Sequence, residues 1–384
     1  MEAYLDNSST TKVYKEAVEK MQEAMEVEYG NPSSLHKKGV IAEEYVKEAK
    51  KVIANTLKVQ EKEIYFTSGG TESNNLAIIG TALANKRAGM HIITSSIEHP
   101  SVTNPMEYLK EQGFTITYLP VDKKGCILLD KLEEAMTEDT ILVSIMQVNN
   151  EIGSVQPLEE ISAIIKKKNP KAFFHVDGIQ GYGKYVIRPK KMGIDLYSVS
   201  GHKIHGPKGV GFLYVNEKVK IKPILFGGGQ QKGLRSGTEN IPGISGLCVA
   251  SKKAYEQFES KIKHLNELRE YFTEQLLQLE GVFINGMEEG KGAPHIVSAS
   301  FDGVRSEVLL HSLEEREIYV SAGSACSSNK PSISQTLTAI GVKKEHLDGT
   351  IRFSFSHLTT KEELEYTIEV LKQLLPMLRK YRRM

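Results

Sequence analysis

The stretch SVSGHKIHGPKGVGFLYV, residues 198–215, places Lys203 in a glycine-rich loop between two apolar segments. The segment before the loop, DLYSVS, and the segment after it, GVGFLYV, are rich in the β-branched and aromatic residues typical of buried strands. The loop alone is compatible with an ordinary exposed lysine as well as with a functional amine. The surrounding sequence therefore has to decide between these two interpretations.

Further strand-like segments precede this pair, and segments of helical period separate them. In chain order they are EIYFTS, MHIITSS, FTITYLP, TILVSIM and AFFHVD. Such alternation predicts βαβ units, and hence an α/β domain with a mostly parallel seven-stranded sheet covered on both faces. Two of the intervening segments are TESNNLAIIGTALANK, in which we expect Thr71 to be the N-cap, and LEEISAIIKKK.

The last third of the chain has a different pattern. A helical region covers about residues 240–279, and its second half, YEQFESKIKHLNELREYFTEQLLQLEG, is expected to be one amphipathic helix that ends at Gly281. Shorter strand-like and helical segments follow, which predicts a smaller α+β domain. We therefore predict a large domain, residues 14–255, and a small domain formed by residues 1–13 and 256–384 that carries Cys326 and Arg352.

Composition excludes several classes of function. With 49 basic and 48 acidic side chains among 384 residues the net charge is +1, so no overall field calls for nucleic acid or a membrane as partner. The chain lacks the pattern of a signal peptide and any long apolar run, so we expect a cytoplasmic protein. Cys126, Cys248 and Cys326 form no CxxC pair, which argues against a disulfide framework and a structural zinc site, and no metal site is predicted.

Polar side chains stand at the ends of four predicted strands. Asp177 and Gln180 come at the end of AFFHVD, His99 follows MHIITSS, Asn150 follows TILVSIM, and Lys203 follows DLYSVS. Because the carboxyl ends of parallel strands meet at one edge of a sheet, these groups are expected to face a common crevice.

A phosphate site is predicted at the same edge. Gly70 and Thr71, in FTSGGTESNN, lie where a strand turns into a helix, and the first N–H groups of a helix lack intrahelical partners and suit an anion. Ser200 and His202, beside the lysine, can complete this cradle. An amine, a carboxylate, an imidazole, amides and an anion-binding helix start at one edge are what pyridoxal 5'-phosphate requires.

Ten motifs carry a resemblance to a known family. They are YLDNSSTT, YGNPSSLH, FTSGGTESNNLAI, EHPSV, VNNEIGSVQP, HVDGIQ, SGHKIHGPKGVG, GGGQQKGLRSGTEN, GSACSS and IRFSFS. In this order and spacing the sequence resembles the cysteine desulfurases of the NifS/IscS type, in the class V aminotransferase group of fold-type I pyridoxal phosphate enzymes, over nearly its whole length. It departs from housekeeping members at FSFSHLTT and at the basic end LRKYRRM, which leaves the sulfur acceptor open.

The resemblance implies a role for each candidate residue around the cofactor. Lys203 would form the Schiff base, Asp177 would pair with the pyridine nitrogen, and His99 would stack on the ring and transfer protons. Gln180 and Asn150 would lie near the ring oxygen, with Asn150 also near the substrate. The residues implied to hold the phosphate are Gly70, Thr71, Ser200 and His202.

The resemblance also implies a substrate and partners. Thr238, in RSGTEN, would reach the phosphate in the neighbouring subunit of a homodimer, and Arg352 would bind the substrate carboxylate through its planar guanidinium. Cys326, in GSACSS, would take the sulfur of L-cysteine as a persulfide, leave L-alanine, and pass the sulfur to an iron–sulfur scaffold or a tRNA-thiolating enzyme. The same thiol could transiently bind an iron–sulfur cluster. Cys126 and Cys248 are expected to be packing residues.

Two other functions remain open on the sequence. A selenocysteine lyase or another class V enzyme would keep the cofactor, although a transaminase would have no need of Cys326. A non-catalytic sulfur-relay or scaffold protein would keep the fold, but it has no chemical reason to retain Lys203, Asp177, Cys326 and Arg352 together.

Overall fold

The computed structural model describes residues 1–287, 291–322 and 334–382. These residues form thirteen strands and fourteen α-helices. The strands are β1 (Ala3–Tyr4), β2 (Ile64–Thr67), β3 (His91–Ser95), β4 (Thr115–Leu119), β5 (Thr140–Met146), β6 (Phe173–Asp177), β7 (Leu196–Ser200), β8 (Gly211–Val215), β9 (Val282–Asn285), β10 (Ile296–Phe301), β11 (Ile318–Tyr319), β12 (Ser321–Ala322) and β13 (Thr350–Ser354). The helices are α1 (Lys15–Glu26), α2 (Lys37–Leu57), α3 (Gly70–Asn75), α4 (Thr81–Asn85), α5 (Pro100–Glu111), α6 (Leu129–Ala135), α7 (Leu158–Lys168), α8 (Pro189–Met192), α9 (Ile241–Tyr255), α10 (Phe258–Leu277), α11 (Ser306–Glu314), α12 (Gln335–Ala339), α13 (Lys344–Leu347) and α14 (Lys361–Arg382).

The central sheet confirms the predicted α/β architecture. Its seven strands have the order β2-β8-β7-β6-β5-β3-β4, and each of them falls within a segment predicted as a strand. The sheet is parallel except for β8, which runs antiparallel to both β2 and β7. One face packs mainly against α2, α7 and α9 and the other against α4, α5 and the helical turn before α4, so apolar side chains are buried on both faces.

The helix after β2 begins two residues earlier than expected. Gly69 is its N-cap, with φ of 146°, and Gly70 is its first residue, so the expectation of Thr71 as N-cap was wrong. A side chain at position 69 would be strained at this φ, which explains the glycine. The helical path continues through a π-helical turn, Leu76–Gly80, into α4. The segment LEEISAIIKKK forms α7 as predicted.

The second half of the predicted long helix is interrupted at its start. α9 ends at Tyr255 and α10 begins at Phe258, so a single helix from residue 255 was wrong. Gln257 has a left-handed backbone with φ of 52°, which breaks the helical path although the apolar pattern continues across it.

The remaining strands form two small sheets. β12, β13, β10 and β9 make an antiparallel sheet, and β1 pairs in parallel with β11, so the first residues of the chain pack against its last third as expected. Leu5 and the side chains of α10, α14, β10 and β13 form one hydrophobic cluster, separate from the clusters on the central sheet. On this basis we propose to keep the domain division at residues 13/14 and 255/256. In the described part of the chain no helix is long and apolar enough to cross a membrane.

Candidate active site

A cavity of about 330 Å³ lies at the carboxyl ends of β5, β6 and β7. Ten predicted site residues line it: Gly70, Thr71, His99, Asn150, Asp177, Gln180, Ser200, His202, Lys203 and Arg352. The cavity is completed by Ser8, Ser9, Ser101, Met146, Val148 and Ile179, which the sequence analysis did not single out. Thr238 is exposed and does not line the cavity, and Cys326 lies outside the described residues.

Asp177, the last residue of β6, is buried and its carboxylate is held by two donors. The side-chain amide of Asn74 donates to Oδ2 at 2.8 Å, and the backbone N–H of Ile179 donates to Oδ1 at 3.0 Å. Burial raises the pKa of Asp177, while these two hydrogen bonds and the nearby His99 and Lys203 oppose the rise. The carboxylate is therefore fixed in position and suited to a cationic partner.

His99 is the N-cap of α5, and its hydrogen bonds define its tautomer. Nδ1 accepts from the backbone N–H of Ser101 at 3.1 Å, so the proton of the neutral ring is on Nε2. The hydroxyl of Ser101 lies 2.9 Å from Nδ1 and accepts from Asn74 at 2.9 Å, which links His99 to Asp177 through two side chains. Burial lowers the pKa of His99, and Lys203 lowers it further against the opposing effect of Asp177, so the imidazole is neutral at pH 7.

Lys203 ends the single 3₁₀ turn that follows β7. Its amine donates to the backbone carbonyls of Ser8 and Ser9, the second at 2.8 Å. The carbonyl of Lys203 accepts from the amine of Lys184 at 2.8 Å. Lys203 is thus held by hydrogen bonds to both its side chain and its backbone, and its amine lies beside the cavity.

The residues predicted to hold the phosphate lie at the start of α3 and in and next to the turn after β7. A Cβ at Gly70 would strike the side chain of Ile179 and approach Ser200 at 3.5 Å, so the glycine keeps this corner open. The pKa of His202 is lowered to about 4 by burial, then by Lys203 and Lys208, and its Nδ1 lies 3.3 Å from the hydroxyl of Thr10. His202 therefore offers a neutral imidazole rather than a positive charge.

Arg352 reaches the cavity from β13 and is almost fully buried. Its NH1 group donates to the carbonyl of Asn150 at 2.8 Å, and its NH2 group donates to Asp6 at 2.9 Å and to the hydroxyl of Ser9 at 2.6 Å. Nε is buried and has no hydrogen-bond partner in the described residues. Three of its five N–H groups therefore donate to other parts of the described chain, which holds the guanidinium in place at the wall of the cavity.

Glu98 is a buried acid next to the site that sequence reasoning missed. Its Oε1 accepts from the hydroxyl of Ser95 at 2.6 Å and from the backbone N–H of Met146 at 2.9 Å, whereas Oε2 has no partner in the part of the chain that is described. Burial raises the pKa of Glu98 to about 8, and the charge of Asp177 adds to this effect. The acid is therefore largely protonated at pH 7. In the motif EHPSV the sequence analysis selected the adjacent His99 and not Glu98.

The two described cysteines have poor thiolate character. Burial raises the pKa of the Cys248 thiol to about 12 and also raises that of Cys126, whose Sγ lies 3.5 Å from the carbonyl of Val155. Cys248 packs against the main hydrophobic cluster, as predicted. Among the residues described, no three His, Cys, Asp or Glu side chains are grouped so as to bind a metal ion.

Comparison with known proteins gives consistent matches over nearly the whole chain. Residues 3–367 match the family described as aminotransferase class-V. The chain is 45% identical over 376 residues to the cysteine desulfurase IscS of Methanosarcina thermophila, an alignment that covers 98% of this chain and 92% of that protein.

Solved structures agree with this result. A NifS-like protein has a TM-score of 0.93 and 38% sequence identity, over 98% of this chain and 100% of that one. A structure described as SspA in complex with cysteine has a TM-score of 0.80 and 34% identity, over 93% of this chain and 100% of that one.

Proposed function

This chain belongs to the class-V aminotransferase family and, within it, to the cysteine desulfurases, and from that premise we propose how its own residues carry out the reaction. The observation that carries the proposal is the convergence of an amine, a buried carboxylate, a neutral imidazole and a helix start on one cavity. We propose that this cavity binds pyridoxal 5'-phosphate and L-cysteine. When bound, the cofactor supplies an electron-withdrawing pyridinium ring attached to the substrate through its amine.

The donor set fits this cofactor. The fixed carboxylate of Asp177 suits the protonated ring nitrogen, and a cation placed there also offsets the cost of keeping that carboxylate charged in a buried site. The free N–H groups at the start of α3, near Gly70 and Thr71, suit the phosphate together with Ser200 and His202. The amine of Lys203 lies beside the same cavity, where it can hold the cofactor.

The remaining residues bind the substrate and move protons. The guanidinium of Arg352 would bind the substrate carboxylate, and Asn150, whose carbonyl accepts from Arg352, lies next to it at the wall of the cavity. The amine of Lys203 would act as the base at the α-carbon, and the Nε2–H of His99 would be a second proton source.

Cys326 is proposed as the residue that takes the sulfur. In the overall reaction the Cβ–S bond of L-cysteine breaks and an S–S bond to Cys326 forms, so the carbon is reduced as the sulfur is oxidised. The two thiol protons end on the methyl group of alanine and on the terminal persulfide sulfur. The persulfide then passes its sulfur to an acceptor protein, which we propose to be an iron–sulfur scaffold or a tRNA-thiolating enzyme.

We also propose a homodimer with shared active sites. Thr238 is exposed and lies outside the cavity of its own chain, so a contact between this hydroxyl and a phosphate requires a second copy. Sedimentation of the wild-type protein should give a dimer, and Thr238→Val should weaken cofactor binding without changing the sedimentation coefficient.

The function is tested by following products and cofactor together. Wild type, Cys326→Ala and the control Cys126→Ala are incubated with L-cysteine, and alanine, reductant-released sulfide and the visible band at about 420 nm are measured. We expect equal amounts of alanine and sulfide from wild type and the control, and loss of both from Cys326→Ala with the band retained.

The other functions give different results. Alanine formation that is indifferent to Cys326 would indicate another class V reaction, and a higher kcat/KM for L-selenocysteine than for L-cysteine would indicate a selenocysteine lyase. A protein without a visible band after incubation with pyridoxal 5'-phosphate would contradict the cofactor proposal and favour a non-catalytic scaffold.

A further inference from the structure

The side-chain amide of Gln180 is held between two groups of different hydrogen-bonding character. Its Nε2 donates to the backbone carbonyl of Ser8 at 3.0 Å, and its Oε1 lies 3.3 Å from Nε2 of His295. The Ser8 carbonyl also accepts from the amine of Lys203. A carbonyl cannot donate, so the nitrogen of the Gln180 amide must face Ser8 and its oxygen must face His295.

This orientation fixes the tautomer of His295. A group that faces the oxygen of an amide has to be a donor, so the proton of the neutral His295 ring is on Nε2. The ring is 1% exposed, and its Nδ1 has no hydrogen-bond partner in the described residues. The ring is also kept neutral, because burial and then Lys184, Arg352, Lys203 and Arg269 lower the pKa of His295.

We propose that His295 is a positioning residue that, together with the carbonyl of Ser8, keeps an N–H group of Gln180, rather than its oxygen, directed at the cofactor cavity. Gln180 lines that cavity, and with one N–H bonded to Ser8 its second N–H remains available. His295 comes directly before β10, whereas Gln180 follows β6, so the contact joins residues 115 positions apart. This inference rests on the proposed function, since it concerns how that cofactor is bound.

The consequence is a lower proton affinity at the cofactor. With the cofactor bound, a donor directed at its ionised ring oxygen would weaken the binding of a proton at that oxygen. Without the donor, or with an amide oxygen turned toward the ring, that proton is held more tightly. One neutral hydrogen bond shifts such an equilibrium by about 0.5–1 pH unit.

The first experiment is a pH titration of the visible band in the purified holoenzyme. The variants are His295→Leu, which has no donor, His295→Gln, which keeps an N–H, and His91→Leu as matched control, a buried histidine bonded to Thr117 and Thr140 at the other end of the sheet. We expect the midpoint to rise by about 0.5–1 pH unit in His295→Leu and to stay within about 0.2 in His295→Gln and in the control.

A double variant separates positioning from general damage. In a Gln180→Met background, His295→Leu should cause no further shift of the midpoint, because the amide that His295 orients is absent. Equal shifts in both backgrounds, or a His295→Leu midpoint equal to wild type, would overturn the inference. A wild-type protein without a visible band would instead overturn the proposed function.

A second readout does not depend on the cofactor. Nitrogen NMR of ¹⁵N-histidine-labelled apoprotein, with His295 assigned by its loss in His295→Gln, should show a neutral ring protonated at Nε2. A ring protonated at Nδ1 would refute the argument even if the titration agreed.

Discussion

Replacing Glu98 by glutamine should remove a pH-dependent loss of stability from this protein. The folded state raises the pKa of Glu98 from 4.5 to about 8 through burial, so it keeps a proton that the unfolded chain releases above about pH 4.5. This contribution favours the folded state at low pH and is lost progressively as the pH rises from 4.5 towards 8. Glutamine keeps an acceptor oxygen for Ser95 and Met146 and does not titrate.

The size of this effect on stability follows from the shift in the pKa of Glu98. One pH unit corresponds to about 1.4 kcal/mol per proton, so Glu98 costs the folded state about 2 kcal/mol between pH 5.5 and pH 7.0. Urea unfolding of wild type and Glu98→Gln at about pH 5.5, 7.0 and 8.5 measures this directly. Between about pH 5.5 and 7.0, the free energy of unfolding of the variant should rise relative to that of wild type by about 2 kcal/mol.

The change with pH of the difference in unfolding free energy separates the titration of Glu98 from other effects of the substitution. The NH₂ group of the new amide would occupy the position of Oε2, for which the described residues supply no partner, and any constant cost of this cancels when only the change with pH is compared. Glu159→Gln, at an exposed position of α7, is the control for a carboxylate removed elsewhere. Parallel stability curves for wild type and Glu98→Gln would refute the interpretation of Glu98 as a buried protonated acid.

Three further changes test the site and its packing. Asn74→Ala removes a donor from the Asp177 carboxylate, and we expect cofactor affinity, measured by titrating the apoprotein, to fall by about tenfold or more; unchanged affinity would contradict this. Arg352→Lys keeps the charge but loses the planar fork, so KM for L-cysteine should rise by about tenfold with the visible band intact, and an unchanged KM would remove Arg352 from the substrate site. A Cβ at Gly178 would overlap the buried ring of Tyr197, so Gly178→Ala should destabilise the fold by about 1–3 kcal/mol; a melting temperature equal to wild type would show that the ring can move.

The part of the site that could be predicted follows from sheet geometry. Asp177, His99 and Lys203 were found because each lies at the end of an apolar strand or within four residues after it, and parallel strands bring their carboxyl ends together. The helix start at Gly70 was found for the same reason, through its position after β2. These signals are local in the sequence, so a pattern of a few residues carries them.

The groups that escaped prediction act through contacts across long stretches of chain. Asn74 lies 103 positions from Asp177, and nothing in SNNLAI shows that its amide faces that carboxylate rather than solvent. His295 is 115 positions from Gln180, in an apolar segment where a histidine has no distinctive neighbours. The break at Gln257 was missed because the helical pattern continues through it, while a left-handed backbone at glutamine leaves no mark in the sequence.

The first residues of the chain form hydrogen bonds to three residues of the site. The carbonyl of Ser8 accepts from both Lys203 and Gln180, while Ser9 accepts from Lys203 through its carbonyl and from Arg352 through its hydroxyl. These three partners belong to a turn after β7, a loop after β6 and a strand of the small antiparallel sheet, so a displacement of two residues would alter the amine, the amide and the guanidinium together. Most of these contacts use backbone carbonyls, which every residue possesses. The segment therefore constrains the amine and the amide through the path of its backbone, while the side chains of Asp6 and Ser9 hold the guanidinium. Contacts made by backbone carbonyls leave no mark in the sequence, and for that reason this role became visible only in the folded structure.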